Sequence, residues 1–184
     1  TRNVDLFFSG ILQNRNFGVQ SDIRRQIMRK LFFCVSDIPL TKRAITNPLV
    51  IFWNSAPSGK FTGLIAKVLQ TRKLLQIEDY VFQQAQPKMS LNALSPMGLV
   101  SSRYMESMAM KSLVFAEESD LYRNIFPPNV LVTFKPDLQN FFEQLLHYLT
   151  NTQDRLDIVE RAYKEVTHNH SWKTRVKTIT KHLE

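Results

Sequence analysis

The chain has 184 residues, 43% hydrophobic and 22% charged, with only five glycines and eight prolines, which describes one folded globular domain and excludes low-complexity or disordered classes. Its single cysteine, Cys34, excludes an internal disulfide and a four-cysteine zinc site, and is read as core. No apolar run approaches the roughly 18 residues of a membrane-spanning helix, and no basic stretch followed by a short apolar core opens the chain, so a soluble protein is expected, with a cytoplasmic location. The net charge of +8 implies an anionic partner: nucleic acid, a membrane surface or a phosphate-bearing small molecule. The start at Thr1 rather than Met suggests a single domain, 1–184, excised from a larger polypeptide.

In chain order, "VDLFF" (4–8) is a short apolar run interrupted by Asp5 and ending in Ser9-Gly10, and it reads as a buried strand entering a loop. A helix follows Ser21, which can cap its first turn, with Ile23, Ile27, Met28, Leu31 and Phe32 at helical spacing. "LVIFW" (49–53) is a second buried strand, bounded by Asn47-Pro48 and the 54–59 loop, and a helix over 61–74 comes next. A short helix near 77–85 leads into "KMSLNAL" (88–94), a Ser95-Pro96-Met97-Gly98 turn, and a helix that begins near Ser102 and carries Arg103 and Glu106.

"SLVFA" (112–116) and "NVLVTF" (129–134) add two strands around a brief helix near 119–125. The remainder is helical: Leu138, Phe141, Phe142, Leu145, Leu146 and Leu149 share one apolar face, and Thr152 and Ser171 are placed as caps of two further helices. Trp172, Val176, Ile179 and Leu183 line the last helix. Short continuous apolar strands alternating with amphipathic helices predict an α/β fold, a Rossmann-like parallel sheet flanked by helices with a helical carboxyl-terminal end. In such sheets ligands sit at the carboxyl ends of the strands, so the loops after strands are the places to search.

No GxGxxG, P-loop, HExxH, CxxC, GxSxG or Asp-x-Asp pattern occurs. The four histidines, His147, His168, His170 and His182, fall in the terminal helices or between them, and His168-Asn169-His170 reads as a polar interhelical turn rather than a metal site. What remains is the 95–102 loop and the helix after it. Free backbone N–H groups and the positive end of the helix dipole suit a phosphate there, and Arg103 in the first turn adds a bidentate donor. Glu106, one turn on, can accept two ribose hydroxyls. The competing reading is a plain i, i+3 surface salt bridge between Arg103 and Glu106, worth a few tenths of a kcal/mol. The residues alone leave both readings open.

"RYMESMAMKSLVFAEES", followed by "FPPNVLVTFKPDLQNFFEQLLHYLTNTQDRLDIVERAYKEVTHNHSWKTRVKTITKHL", resembles the carboxyl-terminal half of group 1 glycosyltransferases, notably the CgeB-like branch. The family shows an Arg-x-x-Glu-Ala-x-Ala-like helix, then strand, helix, short strand and an Asp-led helix. It closes on a His-(Ser/Thr)-(Trp/Tyr)-x-x-Arg signature, met here by His170, Ser171, Trp172, Lys173, Thr174 and Arg175. "QAQPKMSLNALSPMG" is similar to the family's strand and loop before the first of these helices, and "VDLFFSG" to the opening strand of the domain.

The resemblance implies one half of a GT-B fold that binds a nucleotide-diphosphate sugar, UDP-linked, and transfers a hexosyl or deoxyhexosyl group to a glycan or other hydroxyl acceptor, with no metal and no cofactor beyond the donor substrate. It implies Glu106 at the ribose and Arg103, Ser101, Ser102, Gly98, Ser9 and Gly10 at the diphosphate, with Arg15 and Arg24 as further phosphate contacts. It also implies neighbouring domains that supply the acceptor half, no nucleic-acid partner and no transmembrane segment. Two positions depart from the family pattern: Ser107 replaces the usual alanine, a change expected to matter little, and Gly98 stands where many relatives carry a sugar-contacting glutamate. The alternatives from other classes are a basic nucleic-acid-binding module, recognised by steeply salt-dependent binding, and a catalytically silent donor-like domain.

Overall fold

The computed structural model describes residues 2, 4–9, 23, 24, 26, 27, 30, 49–52, 77–94 and 99–183, and of 9, 49–52 and 77–79 the backbone alone. Several expectations lie outside these residues: the 61–74 helix, the Ser95–Gly98 turn, the Ser21 cap, and the places of Gly10, Arg15, Cys34 and Gly98.

Five strands, β1 (Val4–Ser9), β2 (Leu49–Phe52), β3 (Pro87–Asn92), β4 (Leu113–Glu117) and β5 (Val132–Phe134), form one sheet in the order β2-β1-β3-β4-β5. Every pairing is parallel, as the alternating pattern predicts. The β1–β3 register sets Leu6 beside Met89 and Phe7 beside Ser90, and β3–β4 sets Ser90 beside Val114 and Asn92 beside Ala116. Because successive side chains point to opposite faces, the sheet has two distinct surfaces.

One surface presents Leu6, Phe8, Met89, Leu91, Leu113, Phe115, Val132 and Phe134, packed against Ile23 and Ile27 and against the helix Phe141–Thr150 (α3). Phe115, Phe134 and Phe141 form a tight aromatic set with centroids 4.9 to 5.2 Å apart. The other surface carries Val114 and Ala116 against the helix Ser102–Ala109 (α2), whose buried face is Tyr104, Ser107 and Met108. A short helix, α1 (Ile77–Gln84), precedes β3. The long helix α4 (Thr152–Asn169) gives Ile158 and Val159 to the first core and Ala162 and Val166 to the second, so it closes the domain across both layers.

The brief helix expected near 119–125 is a 3-10 turn over Asp120–Asn124, capped by the Ser119 hydroxyl, which accepts from the Leu121 amide. Thr152 is not a cap: α4 already includes it, and Asn151 holds the cap position with its side chain turned back to the His147 carbonyl. Ser171 does cap the last helix, α5 (Trp172–Leu183), its Oγ accepting from the Thr174 amide at 3.2 Å. Trp172, Val176, Ile179 and Leu183 line one face of α5 as expected, and that face is exposed, with no described element packed over it.

The amino edge of the sheet is held by charge. Arg2 donates to the Ala85, Pro87 and Met110 carbonyls, tying β1 to the starts of β3 and β4. Asp5, the charge set within the first apolar run, is fully buried and paired with Lys88 at 2.6 Å across the β1–β3 ladder. Both clusters are structural and lie at the edge opposite the strand ends that lead into loops.

Candidate functional site

The carboxyl edge gathers the end of β1 at Ser9, the exit of β3 at Ala93 and Leu94, the end of β4 at Glu117, and the amino end of α2. α2 begins at Ser102, as expected, behind Ser101 in extended conformation (φ −84°, ψ 164°), and Ser101 makes no side-chain capping bond. Its hydroxyl therefore caps neither the Ser102 nor the Arg103 amide, while the Tyr104 amide is taken by the Ser101 carbonyl at 3.2 Å; a helix start of this kind, with its positive dipole end, is a place where an anion can be received.

Three attachments fix the orientation of α2. The Tyr104 and Tyr122 hydroxyls lie 3.0 Å apart, and Tyr122 donates to the Glu117 backbone carbonyl at 2.6 Å. Burial pushes the Tyr104 phenol up to about 12, so this link stays neutral and hydrogen-bonded through the ordinary pH range. Ser107, wholly buried, donates to Ser90 Oγ at 2.9 Å and accepts from Gln84 Nε2 at 3.3 Å, joining α2 to β3 and to α1. The serine at the family's usual alanine is therefore not a neutral exchange; it is the centre of a buried polar knot.

With Tyr104, Ser107 and Met108 turned inward, Arg103 and Glu106 fall on the remaining, half-buried flank of α2. They do not pair with each other: none of the ion pairs among the described residues joins them. The partner of Glu106 is Tyr80 on α1, whose hydroxyl donates to Oε2 at 3.0 Å. Burial, then the Glu106 charge, raises the Tyr80 phenol to about 12, while Arg103 beside it acts the other way. A carboxylate offers about four lone-pair directions, so Glu106 keeps acceptor capacity, with Oε1 unengaged by any described residue.

Arg24 is buried and its Nη2 donates to the Leu94 carbonyl at 2.8 Å. Its pKa is lowered by burial first and by the nearby Arg103 charge second, which places two guanidinium groups close together at this edge. The Leu94 amide in turn donates to the Glu117 carboxyl, whose pKa is raised by burial against the pull of that bond and of Arg24. Glu117 is 4% exposed and its Oε2 has no partner among the described residues. Leu94, the last described residue before 95–98, is thus clamped by Arg24 on its carbonyl and Glu117 on its amide.

Of the sequence-predicted residues, Ser101, Ser102, Arg103 and Glu106 come together at the amino end of α2; Arg24 lies beside them but committed to Leu94; Ser9 ends β1 on the same edge. Gly10, Arg15 and Gly98 are outside the described residues. Sequence reasoning missed Tyr80, Ser107 as a hydrogen-bonding centre, and Glu117. A signal existed for Ser107, which stands at i+3 from Tyr104 on an otherwise apolar face. Tyr80 and Glu117 carry none, since only folding brings them near α2. Among the described residues no group of three or more potential metal ligands occurs.

The sequence matches the glycosyl transferase-like family over residues 52–181. This chain belongs to that family. No curated protein sequence matches it. Among solved structures, TarM is similar at a TM-score of 0.65 and 10% identity, over 98% of this chain and 35% of TarM. The GtfA/B complex gives 0.63 at 11% identity, over 99% and 36%. The carboxyl-terminal domain of the group 1 glycosyl transferase LpcC from Francisella tularensis gives 0.61 at 13% identity, over 92% of this chain and 86% of that domain. The glycosyl transferase-like chain thus spans about a third of the TarM and GtfA/B chains it matches. It has the Rossmann-like parallel architecture found in GT-B glycosyltransferases.

Proposed function

We propose that this domain, of the CgeB-like branch, holds the nucleotide-diphosphate sugar donor of a glycosyltransferase, UDP-linked. The observation that carries the reading is the flank of α2: an uncapped helix start, Arg103 in its first turn, and Glu106 half-buried one turn deeper with acceptor capacity left. Ser101, Ser102 and Arg103 face the diphosphate, joined by Ser9, Gly10 and Gly98 from the neighbouring loops. Glu106 accepts the ribose hydroxyls while Tyr80 holds its carboxylate in place. Arg24 fixes the loop exit and adds positive potential, and Arg15 is the further phosphate contact.

In the reaction an acceptor hydroxyl forms a bond to the anomeric carbon as the bond from that carbon to the diphosphate oxygen breaks. The negative charge that grows on the departing diphosphate is met by the α2 amides and the Arg103 guanidinium, which is why no metal or cofactor is called for. The acceptor is a glycan or another hydroxyl compound, and its groove is supplied by neighbouring domains of a longer, cytoplasmic polypeptide. The hexosyl or deoxyhexosyl group is read by residues 95–98, where Gly98 stands in place of an acidic contact.

A panel of nucleotide sugars, nucleoside diphosphates and short nucleic acids, scored by thermal shift, tests this. A ligand bound only by the folded state raises the melting temperature, by about 2.7 kcal/mol of stabilisation at a hundredfold excess over Kd. Stabilisation by a nucleoside diphosphate and its sugar is the expected result. Stabilisation by nucleic acid alone, lost with salt, refutes the donor reading.

A further inference from the structure

Glu117 ends β4 at the same edge of the sheet as the start of α2, and it is 4% exposed. Its carboxyl accepts from the Leu94 amide, while Oε2 has no hydrogen-bond partner among the described residues. A buried carboxyl satisfied on one oxygen only is costly as an anion and far less so as the neutral acid. A proton is readily gained at such a place.

The charges around it decide when. On the other side of Leu94 lies Arg24, whose Nη2 donates to the Leu94 carbonyl at 2.8 Å, so guanidinium and carboxyl grip one residue from two sides. From α2 comes Tyr104, and from the 3-10 turn Tyr122, whose hydroxyls lie 3.0 Å apart; Tyr122 donates to the Glu117 backbone carbonyl at 2.6 Å. Burial pushes both phenols up, so they stay neutral. Glu118, the next residue, is exposed. Among the described residues Arg24 is therefore the charge that supports the ionised form of Glu117. Arg24 in turn lies beside Arg103, the cation in the first turn of α2.

From this chain of contacts we propose that Glu117 is a positioning residue of the donor site and takes up a proton from solvent, at Oε2, when a diphosphate settles on Arg103 and Arg24. The anion offsets the Arg24 charge and adds its own repulsion, so the ionised carboxyl loses its support and the neutral acid replaces it. The Leu94 bond survives, because a neutral carboxyl keeps an oxygen that accepts from the amide. The exit of β3 is thus held in both states. Linkage is reciprocal, so donor affinity falls as pH rises between the values of the free and the occupied protein. Departure of the diphosphate after transfer returns the proton to solvent. This coupling rests on the donor reading.

Calorimetric titration of uridine diphosphate at about pH 6.5 in Pipes and in Bis-Tris, buffers of different ionisation enthalpy, counts the protons exchanged per nucleotide bound. The terminal phosphate of the nucleotide itself titrates near about pH 6, but it does so with parent and variant alike, so the difference between proteins reports Glu117. Glu117→Gln keeps an oxygen for the Leu94 amide and cannot titrate. The parent should take up about 0.3 to 1 proton more per nucleotide than Glu117→Gln, and its affinity should fall relative to the variant's by up to about tenfold per pH unit within the range of about pH 5 to 8. Glu117→Met, of similar length and also without a proton to exchange, should match Glu117→Gln. Equal proton numbers in the parent and both variants across that range overturn the coupling and leave the donor reading standing. Absence of any binding heat in the parent refutes the donor reading, and the coupling with it.

Discussion

Replacing Ser107 by alanine makes α2 conform to the family's usual residue, and the structure predicts that this costs stability. The side chain is wholly buried, so its hydroxyl has no water to exchange with. Its loss removes the 3.3 Å acceptor of Gln84 Nε2, itself 2% exposed, and the 2.9 Å donor to Ser90 Oγ. Asn92 Nδ2 remains near Ser90 Oγ at 3.5 Å and compensates weakly. An orphaned buried polar group costs about 1–3 kcal/mol; one fully orphaned donor and one partly orphaned acceptor sum to about 2–3 kcal/mol. At about 2–4 °C per kcal/mol for a chain of this size, the melting midpoint should drop by about 4–12 °C. Urea and thermal unfolding followed by circular dichroism read the loss directly. A midpoint within about 1 °C of the parent, or above it, would refute the buried-knot reasoning.

Lys88→Met leaves the buried Asp5 carboxylate without the cation 2.6 Å away; a loss of about 1.5–3 kcal/mol is expected, below the 3–5 typical of a broken buried pair because Arg155 still acts on Asp5, and urea unfolding measures it. Glu117 has a raised pKa, so the folded state binds its proton more tightly than the unfolded chain, and stability falls as pH rises through the interval between the two values. Glu117→Gln removes that titration: its melting temperature should exceed the parent's at about pH 8 and match it at about pH 4, and a variant weaker at the higher pH contradicts the assignment.

The sheet was legible where strands are buried on both faces, as in "VDLFF" and "SLVFA", since a short continuous apolar run bounded by turn residues is stable chiefly as an interior strand of a parallel sheet. β3 was harder to read because Ser90 and Asn92 alternate with Met89 and Leu91, and the polar face is satisfied by Ser107 of α2, which donates to Ser90, and by Asn92, which donates back to Ser90 within the strand. The start of α2 and the placement of Arg103 and Glu106 on one flank followed from helical spacing. Tyr80 and Glu117 did not, because each meets the site across a long stretch of chain and no periodicity encodes such contacts. On α5 the spacing gave an apolar face correctly; periodicity carries no information on what covers it, and the face is open.

The central claim is that the flank of α2 receives a nucleoside diphosphate, and calorimetric titration of uridine diphosphate into the parent and Glu106→Ala tests it most directly. Glu106 is half-buried and its hydrogen-bond partner is Tyr80, so the variant is expected to fold, and the account predicts saturable binding to the parent and a weakening of about 10- to 150-fold in the variant, the 1.5–3 kcal/mol of charge-assisted hydrogen bonds to the ribose. Equal affinities in the two proteins, or no heat of binding in the parent, would contradict it.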